Sequence, residues 1–275
     1  MSLHAWASTI LRSSDLQDKL APFSAPLSLD LFSSAPMNFA RPALPARATN
    51  MQFSPKQIKF PKSNTLHQKE NLAIALHAFA NHELLAIELM ALALLILPEV
   101  TPQQQKWKIG ILQSLHEEQT HFQMYVERMK ECGHDFGAFP VSGFFWDRAG
   151  HFKSFEEYSA TMSLTLEGAN LDFASYYSRV FAELGDHSTA AILNKVLEDE
   201  IGHVAFGVRL LNKLKGDKFL FEYYQSLLPF PLTPARARGI DFQSQLRRKA
   251  GLDDSFIQDL ANFDDDFRIT KRRDS

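Results

Sequence analysis

The sequence contains Glu117-Glu118-Gln119-Thr120-His121 and Asp199-Glu200-Ile201-Gly202-His203, two short stretches that together favour one helical fold. Each stretch is an acidic residue followed by Glu-x-x-His. Residues three positions apart lie on one face of an α-helix, so the Glu and the His of each stretch point toward the same place. Apolar residues recur around both motifs at helical spacing. We therefore expect two helices that each present one carboxylate and one imidazole to the interior.

Two further acidic residues precede these motifs and reveal an internal repeat. The segment Glu83-Leu-Leu-Ala-Ile-Glu88-Leu aligns with Glu167-Gly-Ala-Asn-Leu-Asp172-Phe, and each segment comes before its own acid-Glu-x-x-His helix. The repeat predicts two helical hairpins related by a pseudo-twofold axis, each supplying half of one site. Glu88 and Asp172 take matching positions in the repeat, and we expect them beside the ligands or on the surface.

Buried carboxylates and imidazoles cost free energy unless they are paired or bind a metal. Two inward Glu residues together with two Glu-x-x-His pairs match the six ligands of a carboxylate-bridged two-metal bundle. A buried ion-pair network without metal is the alternative. Asp172 is a rival to Glu167 as a ligand, because the position of Glu167 along its helix matches that of Glu200 less well in an antiparallel hairpin. The predicted ligands of two metal ions are Glu83, Glu118, His121, Glu167, Glu200 and His203.

The acidic residue before each ligand Glu has a predicted role of its own. A histidine that binds a metal usually donates the proton of its second ring nitrogen to a carboxylate. We expect Asp199 to accept this bond from His121 and Glu117 to accept it from His203. A solvated acid next to a core position is the alternative for both residues.

These motifs resemble the ferritin-like superfamily, and they are similar to an uncharacterised bacterial ferritin-like family. The segments that carry the resemblance are His82-Glu-Leu-Leu-Ala-Ile-Glu88-Leu-Met, Glu118-Gln-x-His-Phe, Glu167-Gly-Ala-Asn-Leu-Asp-Phe-Ala and Asp199-Glu-Ile-Gly-His. The resemblance implies an all-α, ferritin-like four-helix bundle with a long crossover between its second and third helices. It also implies a pair of metal ions. Iron is the favoured metal, and manganese or a mixed pair of the two are the other choices. Relatives of this general shape are di-iron hydroxylases, including one that modifies tRNA.

The ligand set predicts an oxygen-dependent oxidoreductase, either a hydroxylase or an oxidase. Carboxylates are hard ligands, and a set with only two imidazoles leaves open positions for dioxygen. The substrate is expected to be a small molecule or an RNA. The sequence contains no flavin or nicotinamide motif, so an external electron donor is expected. A ferritin-type iron store and a tRNA-modifying hydroxylase are the alternatives.

Composition bounds these expectations. The chain has 275 residues, a net charge of −3 and a single cysteine, Cys132. The lone cysteine excludes a disulfide framework and favours the cytoplasm. The apolar run from Leu84 to Leu97 is too short to span a bilayer, so we expect no membrane association. The long N-terminal arm and the C-terminal helices argue against a packed cage, so we expect a monomer or dimer. Basic residues near the C-terminus indicate solvated helix faces or a contact with RNA or phosphate: Arg236, Arg238, Arg247, Arg248, Lys249, Lys271, Arg272 and Arg273.

The predicted organisation has three parts. They are a helix and extended arm over residues 1–62, the bundle over residues 63–215, and C-terminal helices with a tail over residues 216–275. Thr101-Pro102, with Gln104, is a capping-box signature that predicts the start of the second bundle helix. A third Glu-x-x-His, Glu131 to His134, contains Gly133, which predicts a helix end, so this match is interpreted as accidental. Thr233-Pro234 is predicted to open a helix that ends before Gly251.

Overall fold

The computed structural model describes residues 1–25, 39–56 and 58–265. In these ranges the regular secondary structure is helical, apart from one isolated bridge between Phe53 and Val141, so the predicted all-α class is confirmed. The chain divides into two compact units, Met1–Phe60 with Lys69–Ser154 and Pro61–Gln68 with Phe155–Ser275. The three-part organisation drawn from the sequence stays a prediction. Part of the predicted arm, and Lys271, Arg272 and Arg273 of the basic tail, lie outside the described residues.

The first unit is built on a hairpin of α3 (Lys69–Ile96) and α4 (Pro102–Glu131). The Thr101 side chain accepts a hydrogen bond from the Gln104 amide, and the Gln104 side chain accepts one from the Thr101 amide, so the predicted capping box is confirmed. Gly133 has a φ of +86°, a left-handed conformation that favours glycine. The helix therefore ends inside the third Glu-x-x-His, as predicted.

The N-terminal residues cover one side of this hairpin. Two short helices, α1 (Leu3–Arg12) and α2 (Leu16–Leu20), replace the single amphipathic helix that their composition predicts. The Asp15 side chain caps α2 by accepting from the Gln17 amide, so a second helix begins there. Helix α1 packs on α3, and α5 (Phe144–Ala149) lies in the segment after α4.

Among the described residues, α3 is the one helix long and apolar enough to cross a membrane. It runs for 28 residues, and the apolar run that begins at Leu84 forms its C-terminal part. However, 78% of the apolar 18-residue stretch within this helix is buried inside the protein. Such burial is consistent with the core helix of a soluble protein.

The second unit is built on a hairpin of α7 (Gly168–Glu183) and α8 (His187–Leu214). The turn lies at Gly185-Asp186, where Gly185 has a φ of +81° and the Asp186 side chain caps α8. Before α7, the chain forms α6 (Phe155–Tyr158) and then a π-helix (Ser159–Glu167). After α8 come α9 (Leu220–Leu227), α10 (Ser244–Lys249) and α11 (Asp254–Asn262).

The helix predicted to open at Thr233-Pro234 is interrupted. The structure has a 3₁₀ turn at Pro234–Ala237 and a separate α10. Between them, the amides of Gly239 and Gln243 donate to the Asp172 carboxylate over 2.8 and 2.7 Å. Because these amides bind a side chain of another helix, they are not available for a continuous helix.

Candidate metal centre

The first hairpin brings three of the predicted ligands together. Glu83, Glu118 and His121 each offer one ligand atom, and these three atoms lie within 4.8 Å of one another. Glu83 lies thirteen residues before the end of α3, and Glu118 lies sixteen residues after the start of α4. Antiparallel helices place such positions at similar heights. All three side chains are buried, so the first hairpin forms a compact group of two carboxylates and one imidazole.

Both hairpins hold their Glu-x-x-His pair in the same way. His121 Nδ1 lies 3.2 Å from Glu118 Oε2, and His203 Nδ1 lies 3.3 Å from Glu200 Oε2. The side chains of Glu200 and His203 are almost completely buried, as are those of the first pair. The internal repeat seen in the sequence is therefore matched in the structure by the same contact between Glu and His within each hairpin.

Glu167 is buried at the junction of the π-helix and α7. Stretches of π-helix are rare and occur frequently at functional sites, because the wider turn changes the direction of the side chains that follow. Three residues later, Asn170 Nδ2 donates a 2.7 Å hydrogen bond to Glu200 Oε1. Sequence reasoning missed Asn170. Its spacing from Glu167 puts both on one helix face, but spacing alone does not distinguish it from an ordinary polar residue.

Glu88 has partners that its position in the repeat did not predict. Its carboxylate is fully buried and accepts from Arg47, through Nε at 3.1 Å and through a terminal nitrogen at 2.7 Å. The Lys19 ammonium lies 3.1 Å from the same carboxylate. Burial lowers the pKa of Lys19, and the Glu88 charge opposes that shift. Glu88 therefore fixes two residues of the N-terminal segment to α3.

Asp172 has the matching role in the second hairpin. Besides the amides of Gly239 and Gln243, it accepts from both terminal nitrogens of Arg247, at 2.6 and 3.0 Å. Arg247 is buried, so it does not form the solvated face or the RNA contact that the basic C-terminal residues suggest. Since four donors bind the Asp172 carboxylate, the structure favours Glu167 over Asp172 as a candidate ligand.

The contacts of Glu88 with Arg47 and of Asp172 with Arg247 are alike in detail. Each joins the second acid of a hairpin to a buried arginine from a segment outside that hairpin. Each guanidinium also lies over an aromatic ring, that of Arg47 4.5 Å from the Phe53 centroid and that of Arg247 4.0 Å from the Phe242 centroid. A cation–π contact further stabilises such a buried ion pair when the cation is removed from water. We call Glu88 with Arg47 and Lys19 the Glu88 clamp, and we call Asp172 with Arg247 and the two backbone amides the Asp172 clamp.

The acids that precede the ligand glutamates lie closer to solvent. Glu117 is exposed, and Asp199 accepts from Lys195 Nζ at 2.5 and 2.6 Å. Lys195 itself is half exposed. The hydrogen bonds expected from His121 to Asp199 and from His203 to Glu117 stay predictions.

Fold and site together describe an all-helical protein with buried groups of Glu and His that can hold a metal ion. The chain belongs to the family described as "Protein of unknown function (DUF455)", which matches residues 11–258. It is also similar to an uncharacterized protein of Haemophilus influenzae, with 28% identity over 198 residues, 70% of this chain and 67% of that protein. No solved structure gives a significant match.

Proposed function

We propose that this protein is an oxygen-dependent di-metal oxidoreductase, a hydroxylase or oxidase, whose two hairpins form a ferritin-like four-helix bundle. The observation that carries the proposal is the group of Glu83, Glu118 and His121 within 4.8 Å in the interior of the first hairpin. The repeat of the Glu–His pair in the second hairpin supports a second half of the same kind. The proposed ligands are Glu83, Glu118, His121, Glu167, Glu200 and His203.

The donor set fits a pair of divalent cations. The four glutamates carry four negative charges when ionised, and two divalent ions would balance them. Without such balance, this many buried carboxylates would be costly. Carboxylate oxygens and imidazole nitrogens suit iron and manganese, and the absence of thiolate donors from the set disfavours softer metals. Iron is the metal we propose, with manganese or a mixed pair as the other choices.

When bound, a ferrous pair supplies the electrons that reduce dioxygen. The chain contributes the rest of the site. The glutamates and histidines hold the ions, and the apolar helix faces around them exclude water. Glu118 and Glu200 each keep one oxygen against a ring nitrogen, which fixes the orientation of His121 and His203. The proposed substrate is a small molecule or an RNA, and repeated turnover would use an external electron donor.

Metal content and oxygen reactivity test this proposal. We expect purified, iron-loaded protein to carry about two ions per chain. Anaerobic ferrous loading followed by oxygen should give a transient optical band and limited oxygen uptake. Glu118→Gln should lower the iron content, whereas Glu127→Gln, at an exposed position of the same helix, should not.

Three results would decide against the proposal. Protein that takes up neither iron nor manganese would refute the metal site. Accumulation of many irons per chain in a large cage-like assembly on size exclusion would support the ferritin-type store, whereas we expect a monomer or dimer. Equal iron content in the Glu118→Gln and Glu127→Gln variants would remove Glu118 from the ligand set.

A further inference from the structure

The two hairpins share their Glu–His geometry but differ at one position. Asn170 donates to Glu200 Oε1 over 2.7 Å, from a place three residues after Glu167. The internal repeat aligns Asn170 with Ala86, three residues after Glu83. An alanine side chain has no polar atom, so Ala86 cannot donate the equivalent bond to Glu118. The pseudo-twofold symmetry of the site is therefore broken beside one Glu-x-x-His pair.

We propose that Asn170 is a positioning residue for the candidate ligand Glu200, an inference that rests on the proposed two-metal site. Asn170 holds Oε1 of Glu200, while Oε2 faces the His203 ring. A donor on one carboxylate oxygen restricts the rotation of the group and draws charge away from that oxygen. Glu200 is thus presented to its metal in a fixed orientation, and this restraint has no side-chain counterpart at Ala86.

Outer partners of metal ligands act mainly on metal affinity. Loss of such a partner typically costs about 10- to 100-fold in affinity or activity. Because Asn170 contacts Glu200 in the second hairpin, its removal should weaken the binding of the metal that Glu200 holds. A residue that supported only the fold would leave the visible absorption of the bound ion unchanged.

The test is an anaerobic titration of the metal-free protein with Co(II), followed by calorimetry and by the visible absorption of the bound ion. We expect the native protein to bind two Co(II) ions. Asn170→Ala should weaken Co(II) binding by about 10- to 100-fold and change the visible absorption of the bound ion. Asn170→Leu, which is close in shape but lacks the donor, should give the same result if the alanine variant folds poorly.

Asn194 provides a matched control in the same hairpin. Its side chain accepts a 2.6 Å bond from Ser178 Oγ, and the variant Asn194→Ala loses this bond without touching Glu200. We expect both Co(II) affinities to be unchanged in this control. If the native protein binds two ions and the Asn170 variants match it in Co(II) affinity and in the absorption of the bound ion, the role of Asn170 alone is overturned. Native protein that binds no Co(II) refutes the two-metal site and this inference with it.

Discussion

At the scale of single residues, two buried glutamates on α3 show how environment decides the role of a carboxylate. Glu83 lies beside another carboxylate and an imidazole, whereas Glu88 accepts from Arg47 and lies against Lys19. Their spacing of five residues places them on different faces of the helix. One carboxylate therefore belongs to a group that attracts cations, and the other is already balanced by them.

Neutralising these two glutamates should change stability to different extents. Glu88→Gln leaves Lys19 and Arg47 buried without their carboxylate, and we expect a loss of about 3–5 kcal/mol in the free energy of unfolding. Glu83→Gln leaves the pair of Glu88 with Arg47 and Lys19 intact, so the metal-free protein should lose less stability, while its metal affinity falls. Urea unfolding in the presence of a chelator measures both. Equal destabilisation by the two variants would show that the protein itself balances Glu83.

His77 should make stability depend on pH. Burial lowers its pKa from 6.5 to about 4, and the Gly137 amide donates to His77 Nε2 over 3.1 Å, which requires the neutral ring. The unfolded chain binds the proton more readily than the folded one. The free energy of unfolding should therefore fall between pH 6.5 and pH 4, by about 3 kcal/mol from this residue.

The variant His77→Gln isolates that effect. The glutamine oxygen can accept the Gly137 bond but does not titrate, so the difference from the native protein should shrink or reverse as the pH is lowered. His151→Gln, at an exposed position, should keep the native pH profile. The assignment fails if the His77→Gln profile runs parallel to the native one across this range.

At the scale of elements, the two clamps attach segments from outside the hairpins to the helices that carry the candidate ligands. The Glu88 clamp holds Arg47 and Lys19, and the Asp172 clamp holds Arg247 together with two backbone amides. Both acids come five residues after a candidate ligand. The repeat in the sequence therefore encodes a pair of attachment points beside the candidate metal ligands.

The adjacent arginines of α10 allow the Asp172 clamp to be tested. Arg247→Met leaves the Asp172 carboxylate buried without its cation, and we expect a loss of about 3–5 kcal/mol and faster proteolysis around residues 238–250. Arg248→Met breaks only an exposed pair with Asp254 and should cost less than about 1 kcal/mol. Chemical unfolding and limited proteolysis compare the two. A similar small loss in both variants would show that the clamp does not hold this segment.

At the scale of the whole molecule, the proposed ligands come from both hairpins, so metal binding should be linked to the stability of the entire chain. A ligand that binds only the folded state stabilises it by about 2.7 kcal/mol at a free concentration 100 times its Kd. We expect the Tm to rise on ferrous or manganous loading and to fall on chelation. Thermal unfolding under anaerobic conditions measures the shift. Glu118→Gln should reduce this shift; a shift of native size in that variant would argue against the site.

Sequence reasoning succeeded where the deciding interaction is local. The capping box at Thr101 and the helix end at Gly133 each depend on residues within a few positions. The group of Glu83, Glu118 and His121 was also within reach, because a short turn between two periodic helices sets the heights of their residues. The four-helix bundle and the activity stay proposals.

Other features were decided by the tertiary structure alone. Glu88 meets Arg47 across 41 residues, Asp172 meets Arg247 across 75, and Glu200 meets Asn170 across 30. Helical spacing tells which face a residue occupies, but not which distant segment will cover that face. Local sequence patterns thus account for the cap and the end of α4 and for the inward Glu and His residues of the two hairpins. Packing chose the partner of each buried charge, because a buried charge is stable only where the folded chain brings an opposite charge or a donor to it.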